Sequence, residues 1–290
     1  MKVGIVTDTN SGMTQEEGKK YGIHILPMPF MIDGEIYHEG VNLSHEEFYR
    51  MQEEGADITT SQPSPEEVLG LWKELLETYD QLVHIPMSSS LSSSCQTAMM
   101  LAQEYEDRVF VVDNQRISIT QRQSALDGKM MADRGMDGAS IKKVLEDTRL
   151  DASIYVTVDT LKYLKKGGRI TPAAAALGTL LRLKPVLTVQ GGKLDAFAKA
   201  RTMKQAKSIM ITAIQNDLEQ RFGDKGCKKC WLQIAHTSSP EIVSEWQKEL
   251  GEAFPGTEIY TAPLSLSIAC HIGPGALAVA ITKKIEDVRD

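Results

Sequence analysis

Residues 81–113 of the chain read QLVHIPMSSSLSSSCQTAMMLAQEYEDRVFVVD. The opening QLVHIPM is a short apolar run typical of a buried strand, and the closing RVFVVD is a second one. Between them, residues 93–105 place apolar side chains at helical spacing. A strand, a helix and another strand in succession predict a βαβ unit with two parallel strands. The six serines from Ser88 to Ser94 therefore form the loop from the first strand to the helix, not a flexible linker.

The same alternation of strands and helices runs through the first half of the chain and predicts a Rossmann-like parallel sheet with flanking helices. Val3–Thr7 reads as a strand, residues 14–21 as a helix, and residues 117–149 as two helical segments. Residues 25–37 read as two extended segments joined at Asp33-Gly34, a dipeptide favoured in tight hairpin turns.

Two helix starts carry a capping box, in which a serine hydroxyl accepts the N–H of a glutamate three positions later and the glutamate carboxylate accepts the N–H of the serine. One box pairs Ser44 with Glu47. The other pairs Ser64 with Glu67 and adds Pro65 at the first helical position. Each box predicts where a helix begins.

The second half of the chain has a different pattern. TLKYLKKGG reads as a helix ended by a glycine C-cap, and residues 202–222 read as a long helix. PVLTVQGGKLDAFAKA reads as an antiparallel hairpin that turns at Gly191-Gly192. Further strands are predicted at SIYVTV, WLQIAH, EIYTAP and GPGALAVAITKK, with a helix from Pro240 between the second and the third. We therefore expect two domains, a parallel-sheet α/β domain over residues 1–152 and an α/β domain with a mixed sheet over residues 153–290.

Composition and charge are those of an ordinary globular protein. Hydrophobic residues make up 42% of the 290 residues, and the formal net charge is −7. Without a long lysine and arginine cluster the chain is not expected to bind nucleic acid, and its acidic balance disfavours constitutive binding to anionic membranes but not transient contact. The sequence has neither the apolar core of a signal peptide nor a run of about 18 apolar residues, so we expect a cytoplasmic protein.

Four cysteines are too few and too scattered for a disulfide framework. Cys227 and Cys230 form CKKC, a spacing found in redox motifs and in halves of zinc sites. Neither a second CxxC nor a suitably spaced pair of histidines follows in the sequence. We therefore interpret the spacing as coincidental and expect no metal site and no cofactor.

Three polar loops occupy the positions at which open α/β sheets bind ligands, beyond the carboxyl ends of strands. They are DTNSG after the first strand, TTSQPS before the Pro65 helix, and the serine loop, Ser88–Ser94. Such side chains most often bond the local backbone, and Asp8 and Asn10 are typical turn residues. The serine loop is harder to explain in that way. Hydroxyls that open a helix suit an oxyanion that accepts several hydrogen bonds.

His271, in CHIGPGAL, is either a core histidine or a hydrogen-bond donor to a carboxylate. Arg169 follows a double glycine, and Arg201 precedes a predicted helix. Each arginine is either a solvated surface residue or a guanidinium that pairs with a phosphate through two parallel hydrogen bonds. The sequence contains no G-x-S-x-G elbow, no Walker A loop and no G-x-G-x-x-G motif. It therefore offers groups suited to binding without an evident catalytic motif.

Six motifs in order along the chain resemble those of the DegV family. They are VTDTNSGMT, TTSQPS, SSSLSSSCQ, LKKGGRI, ARTMKQA and HIGPGAL, spread from residue 6 to residue 277. The family comprises the fatty-acid-binding proteins that serve the bacterial fatty acid kinase. The resemblance covers essentially the whole chain and implies a two-domain α/β protein that buries a long-chain fatty acid in a tunnel. It also implies a non-catalytic carrier that presents the fatty acid carboxylate to a separate ATP-dependent kinase subunit.

The resemblance also implies roles for particular residues. In the family the carboxylate is held by the TSQPS loop, by the second-block serine of an SSxLSGT loop and by the histidine before GPG. The matching residues of the first loop are Thr60 and Ser61. Those of the other two motifs are Ser92 and His271.

Arg169 and Arg201 match family arginines that face the head-group opening and the kinase. The serine loop departs from the family pattern at two positions, where Ser93 replaces a glycine and Cys95 replaces an aromatic residue. We expect these departures to affect the flexibility of the loop or the shape of the neighbouring pocket, and with it the preferred acyl chain.

Two other functions stay open from the residues alone. A serine-type esterase would use Ser92 and His271. A binding protein for another small amphiphile, such as a lipid-like effector, would use the same polar loops.

Overall fold

The computed structural model describes residues 1–177 and 183–285. The chain divides into two compact units. The first comprises Met1–Arg149 and Ser265–Cys270, and the second comprises Leu150–Leu264 and the described residues from His271 onward. Compact units are not necessarily domains that fold independently. The predicted division into two domains near residue 152 therefore stays a prediction.

The first unit contains a larger and a smaller sheet with helices packed around them. Its elements are, in chain order, β1 (Val3–Asp8), α1 (Gln15–Tyr21), β2 (Ile23–Leu26), β3 (Pro29–Ile32), β4 (Glu35–His38), α2 (His45–Glu53), β5 (Ile58–Thr60), α3 (Pro65–Leu75), β6 (Gln81–Ile85), α4 (Ser94–Ala102), β7 (Val109–Val111), α5 (Ser118–Asp133) and α6 (Gly138–Asp147). Ser44 and Ser64 cap α2 and α3 through complete capping boxes, which confirms both predicted helix starts.

The larger sheet is parallel, in the order β2-β1-β6-β7. On one face Val6 packs in a cluster with Trp72 of α3 and Cys95 of α4. On the other face Ile5 lies close to Gly128 of α5. Because successive side chains of a strand point to opposite faces, helices cover this sheet on both sides. All six residues of β1 are buried accordingly. The prediction of a Rossmann-like sheet is confirmed.

The smaller sheet of the first unit is antiparallel, in the order β4-β3-β5. Its β3–β4 turn is made by Asp33 and Gly34, both with positive φ, which confirms the predicted hairpin. Phe30 of β3 lies opposite Thr60 of β5 and packs edge-on against Phe48 of α2. One face of this sheet is therefore part of an apolar core.

The second unit also combines helices with a sheet. Its elements are, in chain order, β8 (Ala152–Thr157), α7 (Lys162–Gly167), α8 (Pro172–Leu177), β9 (Lys184–Val189), β10 (Asp195–Ala200), α9 (Met203–Gln220), β11 (Cys230–His236), α10 (Pro240–Ala253), β12 (Ile259–Pro263) and, after α11 (Leu266–Ile272), β13 (Leu277–Lys283). The residues of α11 up to Cys270 belong to the first unit.

The sheet of the second unit has the strand order β10-β9-β8-β13-β11-β12. Strands β11 and β12 pair in parallel, whereas the other neighbours are antiparallel, so the prediction of a mixed sheet is confirmed. The β9–β10 hairpin and the C-cap of α7 at Gly168, with φ of 69°, are confirmed as well. Trp246 of α10 and Met210 of α9 are fully buried against the sheet. None of the described helices is both long and apolar enough to cross a bilayer.

Candidate functional site

Asp8, at the carboxyl end of β1, organises the polar edge of the parallel sheet. Its carboxylate accepts the backbone N–H of Asn10 at 2.9 Å, the N–H of Met87 at 2.9 Å and the side-chain amide of Gln121 at 3.1 Å. Burial raises the pKa of Asp8 in spite of these hydrogen bonds. Because Met87 follows β6, Asp8 joins the DTNSG loop to the residues that lead into the serine loop.

The serine loop is held by its own hydrogen bonds. The N–H of Ser88 donates to the carbonyl of Arg116 at 2.8 Å, and the carbonyl of Ser88 accepts from Leu91 and Ser92. The hydroxyl of Ser89 donates to the carboxylate of Asp113 at 2.5 Å. Leu91 is buried and anchors the middle of the loop. The stretch is a structured turn between β6 and α4, as the sequence predicts.

Ser92 is half-buried, and its hydroxyl oxygen accepts the N–H of Ser94 at 3.2 Å. The hydroxyl can still donate its proton to a ligand, since one oxygen both accepts and donates. Ser93 is exposed and has right-handed helical angles, φ −74° and ψ −8°. Cys95 lies in the core between α3 and α4, where burial raises the pKa of its thiol to about 12.

The TTSQPS loop lies next to the start of α4. Thr60 ends β5 and is half-buried, and Ser61 is exposed. The N–H of Ser61 donates to the carbonyl of Pro29 at 3.2 Å. The side chain of Gln62 accepts the hydroxyl of Thr97 at 3.2 Å, which joins this loop to the first turns of α4. The structure thus connects the loop of Thr60 with the helix that follows Ser92.

The segment Ser265–Cys270 belongs to the same unit and meets the same polar edge. The hydroxyl of Ser267 donates to the side-chain oxygen of Asn10, and the N–H of Leu266 donates to the carboxylate of Glu39 at 2.8 Å. All four of these residues are buried. Sequence reasoning missed Glu39 and Ser267, because no local motif marks a partner so far away in the chain.

His271 belongs to the second unit and packs directly on Gly167. A Cβ added to Gly167 would lie 2.4 Å from Nδ1 of His271. Burial, together with the positive charge of Arg169, lowers the pKa of His271 to about 4. The guanidinium of Arg169 donates to the carbonyl of Gly167. The structure therefore brings His271 and Arg169 together, and at neutral pH the imidazole is a neutral ring that can donate one N–H.

The Gly-Pro-Gly turn after His271 is also tightly held. Gly273 and Gly275 have φ of 81° and 80°, which glycine tolerates without strain. A Cβ on Gly273 would lie 2.4 Å from the ring of Tyr163. The hydroxyl of Thr237 donates to the carbonyl of Gly273 at 2.6 Å. These contacts fix the backbone immediately after the histidine.

Arg201 directly precedes Thr202, the residue before α9. Its side chain is exposed, and its N–H donates to the side chain of Gln205 at 2.8 Å. Thr202 caps the helix. Within residues 1–177 and 183–285, Arg201 forms no hydrogen bond with His271.

The CKKC cysteines do not resemble a reactive pair. Both are buried, and burial raises the pKa of Cys227 to about 11 and of Cys230 to about 12. Such thiols are protonated at neutral pH, whereas metal ligands and nucleophiles are thiolates. In the part of the chain that the structure describes, no three His, Cys, Asp or Glu side chains are grouped as metal ligands would be.

The fold and the polar edge of the parallel sheet define a class of protein. It is an α/β protein whose polar loops meet beyond the ends of the strands, which is where open α/β proteins bind small ligands. The family described as uncharacterised proteins of the DegV family matches residues 2–284. The chain therefore belongs to the DegV family, which confirms the resemblance seen in its motifs.

Relatives match over almost their full length. A DegV domain-containing protein of Listeria innocua is 31% identical over 282 residues, which are 96% of this chain and 97% of the relative. A solved structure described as showing fatty acid binding of a DegV family protein from Thermus thermophilus superposes with a TM-score of 0.88 at 33% identity, over 98% of this chain and 100% of that one. The DegV structure from Bacillus subtilis, described as a fatty acid binding protein, superposes with a TM-score of 0.86 at 28% identity, with the same coverage.

Proposed function

We propose that this chain binds a long-chain fatty acid in a buried tunnel and presents its carboxylate to a separate ATP-dependent fatty acid kinase. The similarity to the Thermus thermophilus protein, at 33% identity and over 98% of this chain, is the observation that supports fatty acid binding, and the resemblance of the six sequence motifs supports presentation to the kinase. The protein itself is a carrier and performs no catalysis. It needs no cofactor, because the phosphoryl chemistry belongs to the kinase.

Thr60, Ser61, Ser92 and His271 bind the carboxylate in this proposal. Hydroxyls and a neutral imidazole donate hydrogen bonds without adding a full charge, so they suit a carboxylate that must later leave as an acyl phosphate. The low pKa of His271 supports its role as a neutral donor.

Arg169 and Arg201 face the head-group opening and the kinase in the proposed complex. Their guanidinium groups offset the charge of the added phosphate or dock the partner. Arg169 is half-buried beside His271, which supports a role close to the head group, and exposed Arg201 suits a contact with the kinase.

The acyl chain supplies most of the affinity in this proposal. Each buried methylene contributes about 0.8 kcal/mol, so a chain of about 15 methylenes gains on the order of 12 kcal/mol before the costs of binding. Hydrogen bonds to a charged group contribute about 1.5–3 kcal/mol each. The tunnel therefore sets how tightly the ligand binds, and the polar residues set which end meets the kinase.

The proposed function also implies a cellular location and a set of partners. An ATP-dependent partner places the protein in the cytoplasm, and fatty acids enter and leave it through transient contact with a membrane. The net charge of −7 disfavours nucleic acid as a partner.

The proposal is tested by denaturing the purified protein and identifying the released ligand by mass spectrometry. We expect a stoichiometric amount of long-chain fatty acid. A consistently empty protein, or a purely polar ligand, contradicts the proposal. A Thr60→Val/Ser92→Ala variant should release less fatty acid while unfolding at a similar urea concentration.

A second experiment separates the carrier from an esterase. Mixed with a bacterial fatty acid kinase and ATP, the loaded protein should yield acyl phosphate. Hydrolysis of short acyl esters that is lost in Ser92→Ala would instead identify a serine-type esterase.

A further inference from the structure

The DTNSG loop, residues 8–12, begins at Asp8, the last residue of β1. It therefore lies at the carboxyl end of the parallel sheet, where open α/β proteins bind ligands. Thr9–Ser11 form a 3₁₀ turn, and all three residues of the turn are buried. Buried polar groups in proteins are almost always hydrogen-bonded, so each group of this turn should have a partner.

The DTNSG loop contacts the segments next to both other polar loops of the first unit. The carboxylate of Asp8 accepts the N–H of Met87 at 2.9 Å, directly before the serine loop. The hydroxyl of Thr9 accepts the N–H of Met28 at 3.1 Å. The carbonyl of the residue after Met28 accepts the N–H of Ser61, in the TTSQPS loop. The three polar loops are thus joined within one unit.

Asn10, in the middle of the 3₁₀ turn, has a buried side-chain donor without a partner. The residue is 1% exposed, and its backbone N–H donates to the carboxylate of Asp8 at 2.9 Å. Its side-chain oxygen accepts the hydroxyl of Ser267. Within residues 1–177 and 183–285, its side-chain NH₂ group donates to no acceptor. A buried donor left unpaired is costly, so we expect this group to donate to a bound molecule.

The carboxylate beside Asn10 does not take this role. The oxygens of Asp8 already accept the backbone N–H groups of Asn10 and Met87 and the side-chain amide of Gln121. The NH₂ group of an asparagine offers only donors, so its partner must be an acceptor. Its amide is neutral, like a hydroxyl, and suits an oxyanion that accepts several hydrogen bonds.

We propose that Asn10 is a further binding residue for the fatty acid carboxylate, to which its Nδ2 donates a hydrogen bond. The proposal rests on the proposed fatty acid function and gives the DTNSG loop a role beside those of Thr60 and Ser92. Asn10 then contributes to the selectivity for an acid head group, whereas the acyl chain contributes most of the affinity.

Asn10→Asp is the decisive substitution, because it replaces NH₂ by an oxygen with almost no change of shape. The side chain can still accept the hydroxyl of Ser267, but it repels a carboxylate instead of donating to it. At about pH 8, where a carboxyl is normally ionised, we expect the affinity for palmitic acid to fall at least about tenfold. The affinity for cetyl alcohol should change less than about twofold, because its O–H can donate to the introduced carboxylate. Titration of the lipid-free protein with both ligands measures the ratio.

Asn114→Asp is the matched control. Asn114 is also a fully buried asparagine of the first unit, but its side-chain NH₂ already donates to the hydroxyl of Ser124 at 2.6 Å. The control introduces a buried carboxylate without removing an unpaired donor. It should lower the stability and leave the acid-to-alcohol affinity ratio unchanged.

The outcomes separate the role of Asn10 from the fatty acid function. A wild-type protein that prefers the acid, with an unchanged ratio in Asn10→Asp, overturns the role of Asn10 alone. A bound water would give that result, because water can donate to the introduced oxygen as well as accept from the amide. Equal losses for both ligands, or the same change of ratio in Asn114→Asp, also overturn it. A wild-type protein that binds neither ligand overturns the fatty acid function, and the role of Asn10 with it.

Asn10→Ala replaces Asn10→Asp if the latter does not fold. It removes the donor without adding a charge, so the affinity ratio should fall in the same direction, by about threefold or more. An unchanged ratio in a folded Asn10→Ala variant would equally overturn the role of Asn10.

Discussion

The imidazole of His271 lies where a side chain on residue 167 would be. A Cβ added to Gly167 would be 2.4 Å from Nδ1 of the ring, which is closer than such atoms approach in proteins, and 3.2 Å from Cε1. The neighbouring Gly168 differs, because a Cβ there would meet nothing within 4 Å. One glycine of the pair makes room for the histidine, and the other ends α7 in the left-handed conformation.

Gly167→Ala should therefore displace His271 and weaken the binding of a fatty acid. We expect the affinity for palmitic acid to fall about tenfold, with little change for cetyl alcohol, because only the acid needs the imidazole N–H. Titration with both ligands measures the effect. Gly168→Ala is the control: its φ of 69° costs an alanine about 1 kcal/mol of stability, yet the affinity ratio should not change. A ratio that changes equally in both variants would contradict the role of Gly167.

At the scale of elements, the start of α4 shows that a serine fits where the family pattern has a glycine. Ser93 replaces a glycine of the family pattern, but its φ of −74° and ψ of −8° are ordinary right-handed helical angles. A serine adopts them without strain, so glycine is not required there. Its side chain is exposed, and it makes no hydrogen bond that caps the helix. The expectation that this departure affects the ligand pocket stays a prediction, and the backbone at Ser93 does not require a glycine.

Ser93→Gly should lower the free energy of unfolding by about 0.5–1 kcal/mol, because glycine loses more backbone entropy on folding. Palmitic acid affinity should stay the same. Urea unfolding and ligand titration measure the two quantities. Ser140→Gly, at an exposed position within α6, should cause a similar loss of stability and serves as the reference for a purely conformational effect. A change in palmitic acid affinity in Ser93→Gly would show that Ser93 does tune the ligand.

Elements with local signals could be predicted from the sequence, and elements held by distant partners could not. The capping boxes of Ser44 and Ser64 act within one helical turn, so the sequence shows both partners at once. Strand β5 has only three residues and forms because Phe30 and its neighbours pair with it. At the start of helix α11, the N–H of Leu266 donates to Glu39, a partner 227 positions away in the sequence. The same distinction applies to the candidate site. Family motifs identify Thr60 and His271 in the sequence, but no local motif identifies the residues that hold the site loops in place.

At the scale of the whole molecule, buried titratable groups make stability depend on pH in opposite directions. His84 of β6 is buried against Trp72, and neither ring nitrogen has a hydrogen-bond partner among the described residues. Burial lowers the pKa of His84 to about 4. The pKa of Asp127 in α5 shifts in the opposite direction, because burial raises the pKa of its carboxyl to about 6. Folding therefore keeps both groups neutral near pH 5.

These shifts fix the sign of each contribution. Between about pH 6.5 and pH 4 the unfolded chain binds a proton at His84 that the folded protein does not bind, so this histidine destabilises the fold as pH falls through that window. Between about pH 6 and pH 4 the folded protein holds a proton on Asp127 that the unfolded chain releases. Asp127 thus favours the fold as pH falls, and the two effects partly cancel in the wild-type protein.

Single substitutions separate the two contributions. His84→Leu should remove a loss of up to about 1.4 kcal/mol of unfolding free energy per pH unit below pH 6.5, so its stability should fall less steeply on acidification than that of the wild type. Asp127→Asn should make the fall steeper, because it removes the opposing carboxyl. Urea unfolding at a series of pH values from 7 to 4.5 measures the slopes, and the other histidines cancel in each comparison. Equal slopes in the wild type and His84→Leu would mean that His84 takes up its proton in the folded protein as readily as in the unfolded chain.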